Sequence, residues 1–294
     1  MSRLSNVAEP CPVMILCGGE GSRLKEETEL RPKPMLEIGD RPILWHIMKL
    51  YAAYDLKNFI LCLGYKGHVI KDYFLNYETF VSDLRVELGS LSPPKPLNRN
   101  GSEDWAVTLV ETGQKAMTGT RVARAAKYVD ADTFCLTYGD GIGDVDIAAL
   151  LEFHRQHGKL ATVTGVRPPG RFGELRVEGG RAVEFNEKLQ TAEGVINGGF
   201  FVLHRSVVEK YLSATDDDCI LEREPLQRLA RDNQLMVYVH KGFWQPMDTF
   251  REWRLLNELW ETGRAPWWAK WSAVPPGCTT VPPRTKPQPM KPTR

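Results

Sequence analysis

Val13-Met14-Ile15-Leu16-Cys17-Gly18-Gly19-Glu20-Gly21-Ser22-Arg23-Leu24 is the stretch on which the fold depends. Four apolar residues running into glycines predict a short strand, buried on both faces, that feeds a tight turn. Glycines in that place let the backbone approach a ligand closely, and successive N–H groups can cradle phosphate. Arg23 adds a planar fork of donors that suits phosphate oxygens. Two familiar phosphate loops do not fit. The Walker pattern requires glycine and lysine where this chain has Arg23 and Leu24, and the dinucleotide fingerprint requires a small residue where Leu24 stands.

Downstream, strand-like and helix-like segments alternate. Pro42 opens a helix over Ile43 to Tyr54, as a proline at a first helical position does. Phe59 to Leu63 reads as a strand, Lys66 to Tyr77 as a helix and Ala106 to Val110 as a strand. Arg121 to Tyr128 reads as a helix, Phe134 to Tyr138 as a strand and Ile147 to His157 as a helix. Beyond residue 160, short strands are predicted at Ala161 to Val166, Glu174 to Val177, Ala182 to Phe185, Gly199 to Leu203 and Met236 to Val239. Helices are predicted at Ser206 to Leu212, Glu222 to Asp232 and Phe250 to Glu261. The alternation predicts an α/β fold: a Rossmann-like, mixed, mostly parallel sheet with helices on both faces.

Residues 13–268 read as one domain in two parts, 13–145 and 146–268. Residues 1–12 read as a loose extension. Residues 269–294 read as a disordered tail, because seven prolines fall within Ala273 to Arg294 with few large apolar side chains.

The 294 residues include 38 basic and 37 acidic side chains, a net charge of +1. Such a balance gives no long-range field for nucleic acid or an anionic membrane. No apolar run reaches the roughly 20 residues of a membrane span, and the N-terminus lacks the apolar stretch of a secretory signal. A cytoplasmic protein is expected. The 6 cysteines form no C-x-x-C pair, which argues against zinc and dithiol chemistry. His154 and His157 stand one helical turn apart, but no further ligand completes a metal site, so a solvated helix face is the expectation. Trp253, Trp260, Trp267 and Trp268 could pack between subunits or cover the core.

Two separate segments strengthen the first loop. Arg31-Pro32-Lys33-Pro34-Met35 brackets a lysine with prolines and so predicts a stiff extended segment holding Lys33 in a fixed place. Asp140 in Gly139-Asp140-Gly141 follows a buried strand, at the carboxyl edge where α/β sheets gather ligands. Alone, an Asp-Gly dipeptide is more often a plain turn. Asp248 precedes a helix, where the ordinary role of an aspartate is an N-cap.

Gly18-Gly19-x-Gly21-x-Arg23-Leu24 followed by Arg31-Pro32-Lys33-Pro34-Met35 resembles the signature of the sugar-1-phosphate nucleotidyltransferases. Lys25-Glu26-Glu27-Thr28 departs from the proline-leucine-threonine run of most members and resembles the glucose-1-phosphate cytidylyltransferase branch. Met117-Thr118-Gly119, Pro169-Gly170-Arg171-Phe172-Gly173, Asn197-Gly198-Gly199 and Gln245-Pro246-Met247-Asp248 extend the resemblance, which covers roughly residues 13 to 268.

The resemblance implies a reaction: CTP and α-D-glucose 1-phosphate give CDP-glucose and pyrophosphate. It also implies Mg²⁺ held jointly by Asp140 and Asp248, with catalysis by Arg23, Lys33 and Asp140. Nucleotide contacts are expected from Leu16, Gly18, Gly19, Glu20, Gly21, Ser22, Arg23, Lys33 and Gly139. Thr112, Gly113 and Thr118 are expected to meet the base, and Arg121 to reach the triphosphate. The sugar phosphate is expected at Gly173, Glu187, Lys188, Asn197 and Gly198; Leu189 replaces the proline that follows this Glu-Lys pair in the family. A homo-oligomer is implied as well. The alternatives are dTTP or UTP, another hexose 1-phosphate, or a non-catalytic regulatory subunit of the same fold.

Overall fold

A computed structural model describes residues 11–19, 21, 24, 28–89, 93–98, 102–168, 174–178, 181–186 and 194–273. The strand and helix alternation becomes a seven-stranded sheet. Its strands, in chain order, are β1 (Val13–Leu16), β2 (Asn58–Leu63), β3 (Ala106–Glu111), β4 (Thr133–Tyr138), β5 (Ala161–Val166), β6 (Ile196–His204) and β7 (Leu235–His240). The spatial order is β7-β5-β6-β4-β1-β2-β3. Only β6 runs antiparallel to its neighbours, β4 and β5; the other pairings are parallel. The sheet is therefore mixed and mostly parallel, as expected. The pair Glu174–Glu178 and Arg181–Asn186 forms a separate antiparallel ribbon.

The helices are α1 (Ile43–Ala52), α2 (Gly67–Leu75), α3 (Tyr77–Val81), α4 (Thr118–Ala125), α5 (Ile147–His157), α6 (Ser206–Tyr211), α7 (Glu224–Arg231), α8 (Phe250–Glu261) and α9 (Pro266–Ala273). Side chains alternate across β1. Val13 and Ile15 join a core with Ile43 and Ile47 of α1, Leu150 of α5, Leu256 of α8 and Trp267 of α9. Met14 and Leu16 join the opposite core with Val122 of α4, Val207 of α6 and Leu229 of α7. A strand buried on both faces cannot show a polar alternation, which is why β1 reads as a continuous apolar run.

Several local expectations are corrected. Pro42 is not in the first turn of α1; it is extended, with ψ 148°, and caps the helix from outside. Lys33 is not on an extended segment. Residues Lys33–Met35 make a 3-10 turn, closed by Met35 N–H to Pro32 O and Leu36 N–H to Lys33 O. Pro34 fits because its fixed φ suits the turn and the turn does not use the missing N–H. The helix expected to run from Lys66 to Tyr77 stops at Leu75, and α3 follows. Helix α9 extends to Ala273, past the expected domain boundary at residue 268; 274–294 lie outside the described residues.

His154 and His157 do not form a solvated face. Both rings meet the Thr162 hydroxyl, at 2.8 and 2.7 Å, and His154 is buried. Trp260 and Trp267 are buried in the core rather than presented at a surface. Among the described residues, no helix is long and apolar enough to cross a membrane.

Candidate functional site

The chain leaves β1 in one direction towards β2 and β3, and the strands on the other side of β1 come later in sequence. The crevice outside the carboxyl ends of β1 and β4 is thus a topological switch point, where open α/β sheets hold ligands. A cavity of about 270 Å³ opens there, lined by Leu16, Cys17, Gly19, Gly21, Lys33, Pro34, Gly139, Asp140 and Asp248.

Two loops bring the aspartates together. Gly141–Gly143 pairs antiparallel with Trp244–Pro246, Pro246 lying opposite Gly141. Met247 N–H then donates to Asp140 O at 2.8 Å. Residues 108 positions apart in sequence are thereby fastened side by side. Asp248 is not the cap of α8. Thr249 is, in a reciprocal capping box with Glu252. Glu252 also accepts from Asp248 N–H at 2.8 Å, so the turn is fixed through backbone groups and the Asp248 carboxylate faces the cavity.

Lys33 Nζ lies between the two carboxylates. It donates to Asp140 Oδ2 at 2.7 Å and to Asp248 Oδ1 at 2.5 Å. The lysine side chain is 10% exposed, and those of Asp140 and Asp248 are 39% and 27% exposed. Burial by itself lowers the Lys33 pKa. The charge and hydrogen bond of Asp140, then those of Asp248, outweigh it and leave the pKa raised. Lys33 is therefore a fixed cation.

The donor set suits Mg²⁺. Two carboxylates offer hard oxygen ligands and already converge on one cation, and their partial exposure leaves room for the waters that Mg²⁺ keeps. Among the described residues, no group of three or more His, Cys, Asp or Glu residues forms a richer site.

Gly139 is required by close packing. A Cβ there would stand 2.9 Å from Leu16 O and 3.0 Å from Pro34 Cγ. Gly21 has φ +62°, and its face abuts Thr28 and the Lys33 stem. Glu20, Ser22, Arg23, Gly173, Glu187 and Lys188 lie outside the described residues.

Arg121 does not reach into the cavity. It is buried, and its guanidinium donates to the carbonyl oxygens of Gly18, Leu63, Gly113 and Gln114 and to Thr112 Oγ1. A Cβ on Gly18 or on Gly64 would stand 2.3 Å from that guanidinium. Thr112 is also committed, its hydroxyl donating to Leu63 O at 2.6 Å. The physical reason is common to both: carbonyls crowd together beyond β1, β2 and β3, and Gly18 O and Leu63 O take these side-chain donors in addition to the N–H groups of Tyr65 and Thr112.

Sequence reasoning missed Glu222 and Tyr138. Glu222 accepts from Thr118 Oγ1 at 2.6 Å and from the Tyr138 hydroxyl. Asn197 Nδ2 donates to the same Tyr138 oxygen at 3.2 Å, and Trp244 Nε1 donates to Gly198 O at 2.8 Å. Thr118 and Asn197, expected in different pockets, are thus joined through one carboxylate. Glu222 precedes α7 in an irregular stretch, where no spacing marks it out.

Residues 12–260 match the Nucleotidyl transferase family. Over 255 residues the chain is 49% identical to the glucose-1-phosphate cytidylyltransferase of Salmonella typhi, which spans 86% of this chain and 97% of that protein. The glucose-1-phosphate cytidylyltransferase of Salmonella typhimurium gives the same identity and coverage. Among solved structures, HddC from Yersinia pseudotuberculosis superposes with a TM-score of 0.61 at 22% identity, covering 84% of this chain and 98% of that one. At that identity the likeness speaks for the fold.

Proposed function

The chain belongs to the nucleotidyl transferase family, and from that premise we propose that it transfers a cytidylyl group from CTP to α-D-glucose 1-phosphate, giving CDP-glucose and pyrophosphate. One observation carries the chemistry: Asp140 and Asp248 converge on a common cation beside the glycine turn after β1. The choice of CTP and glucose 1-phosphate rests on what the 49% identical relatives are named for.

The reaction brings two polyanions together, so the site must supply positive charge and fixed geometry. Gly19 and Gly21, which line the cavity, let the nucleotide phosphates approach the backbone, Gly18 makes room for the Arg121 guanidinium behind them, and Arg23 adds a donor fork. Lys33 presents its ammonium from a rigid 3-10 turn. Asp140 and Asp248 would hold Mg²⁺, which when bound offsets phosphate charge while pyrophosphate departs. A phosphate oxygen of the sugar phosphate attacks the α-phosphorus in line. That oxygen is already ionised near neutral pH, so the chain needs no dedicated general base. Glu187 and Lys188 are assigned to the sugar phosphate, with Gly173, Asn197 and Gly198 assigned to the sugar. Gly113 and Thr118 are assigned to the base, with the buried Thr112 behind them.

A pyrophosphate-release assay tests the reading, with four nucleoside triphosphates against a panel of sugar 1-phosphates, with and without Mg²⁺. Turnover should require Mg²⁺ and peak with CTP and glucose 1-phosphate. Equal turnover with UTP or dTTP overturns the choice of base, because a site that pairs the cytosine amino group leaves a buried partner unsatisfied against uracil.

A further inference from the structure

The proposed metal position and the Lys33 ammonium coincide. Lys33 Nζ is within 2.7 Å of Asp140 and 2.5 Å of Asp248, on the inner side of both carboxylates. Two carboxylates held this close require a positive charge between them. Here the protein supplies that charge itself, through Lys33. We propose that Lys33 is an internal counter-ion, occupying the cation position between Asp140 and Asp248 and leaving it before they can hold a divalent ion. The inference rests on the reading that these two aspartates are the metal ligands.

A monovalent and a divalent cation cannot share one position, since their repulsion in a partly buried site is large. Lys33 therefore has to move, and the fold gives it somewhere to go. Its backbone is pinned in the turn Pro32–Leu36, but its four-carbon stem is flexible. That stem runs beside the glycine turn, Lys33 Cβ lying 3.2 Å from where a Cβ of Gly21 would be. Gly19, Gly21 and Lys33 line one cavity, so a phosphate resting on the glycine turn would draw the ammonium away from the aspartates with no change in the backbone. With Lys33 between them the two aspartates reject divalent ions, and phosphate binding converts the site into one that accepts them. Nucleotide and metal should bind with positive coupling, each tightening the other by the same factor.

The test measures metal binding alone, without nucleotide or turnover. Mn²⁺ is titrated into the full-length wild-type chain and into Lys33→Met, and free Mn²⁺ is followed by electron paramagnetic resonance. Methionine keeps much of the stem length and removes the charge. Lys33→Met should bind Mn²⁺ at least about tenfold more tightly than wild type, and adding Asp248→Asn to it should abolish the gain. If Lys33→Met does not fold, Lys33→Gln serves the same comparison. Equal or weaker Mn²⁺ binding by the neutral variants overturns the counter-ion role, as does a gain that survives Asp248→Asn. The two readings fail separately: unchanged Mn²⁺ affinity with intact CTP turnover removes only this inference, whereas absent turnover with any nucleotide removes the reaction.

Discussion

The backbone of Met247 donates to the carbonyl of Asp140 at 2.8 Å, and this bond carries the short Gly141–Gly143 and Trp244–Pro246 ribbon one step further. Its consequence is chemical. Met247 itself is buried in the core, so the next residue, Asp248, is thrown to the opposite side of the extended chain, towards the cavity. A carboxylate more than a hundred positions from Asp140 becomes its neighbour through backbone geometry rather than through side-chain affinity.

Asp248→Asn should leave the fold intact and remove turnover. Asparagine keeps the side-chain shape, Lys33 retains Asp140 as a partner, and the capping box of α8 does not involve the Asp248 side chain. The loss should be at least about a hundredfold in kcat/KM, the scale at which a single electrostatic contact to the reacting phosphates acts. Pyrophosphate release and circular dichroism on the same sample check both halves. Near-normal turnover in a folded variant sinks the metal role of Asp248.

Arg121→Met should act on stability. The buried guanidinium satisfies four carbonyl groups at the ends of β1 and β2 and in the loop after β3. Leu63 O and Gly18 O keep the N–H groups of Thr112 and Tyr65 as donors, but Gly113 O and Gln114 O lose the guanidinium and a buried cation is removed from its carbonyl cage, at a cost of about 3 kcal/mol. For a domain of this size the Tm should fall by roughly 6–12 °C. A residue whose main task was to hold the triphosphate would behave the other way, raising the KM for nucleotide with little change in Tm. Thermal unfolding alongside steady-state kinetics separates the two.

How far the sequence could be read follows from which interactions are local. β1, α5, β5 and α8 announce themselves, because apolar runs and helical periodicity lie within a dozen residues. Asp140, by itself no more than an Asp-Gly turn, and Lys33, between two prolines, became site candidates through the resemblance that joins them to the glycine loop. The role of Arg121 was not legible, since it depends on carbonyls 58 and 103 positions away, at Leu63 and Gly18. Glu222 was hidden for the same reason: its partners Thr118 and Tyr138 stand 104 and 84 residues before it. Lys33 illustrates the remaining gap. Its flanking prolines marked a stiff segment, but the 3-10 turn arises only when Met35 and Leu36 bury and close it.

Glu222→Ala should impair both substrates at once. Glu222 holds Thr118, proposed to meet the base, and, through Tyr138, Asn197, proposed to meet the sugar. Loss of these exposed hydrogen bonds costs the fold only about 1 kcal/mol, but it frees two pocket walls together. The KM values for nucleotide and for sugar phosphate should each rise several-fold, with kcat falling less. Glu222→Gln, which can still accept one of the two bonds, should recover part of the loss. A folded Glu222→Ala chain with both KM values unchanged shows that the link has no bearing on the pockets.

Acid should destabilise the chain through His46. Its ring is fully buried between α1 and the aromatic cluster of Trp260 and Trp267. Nε2 lies 2.9 Å from Ile38 O and so carries the proton, leaving Nδ1 to accept from Trp267 Nε1 at 3.4 Å. Burial, only partly offset by the bond to Ile38, lowers the pKa from 6.5 to about 4. The folded state therefore binds its second ring proton less readily than the unfolded state. The resulting stability is complete above pH 6.5 and is lost as pH falls towards 4, by about 2 kcal/mol at pH 5. Urea unfolding at pH 7, 6 and 5 measures this, with His46→Asn as the comparison. The variant should be less stable at pH 7 but should show a shallower fall across the window. Parallel pH dependences for the two proteins would mean that the acid sensitivity lies elsewhere.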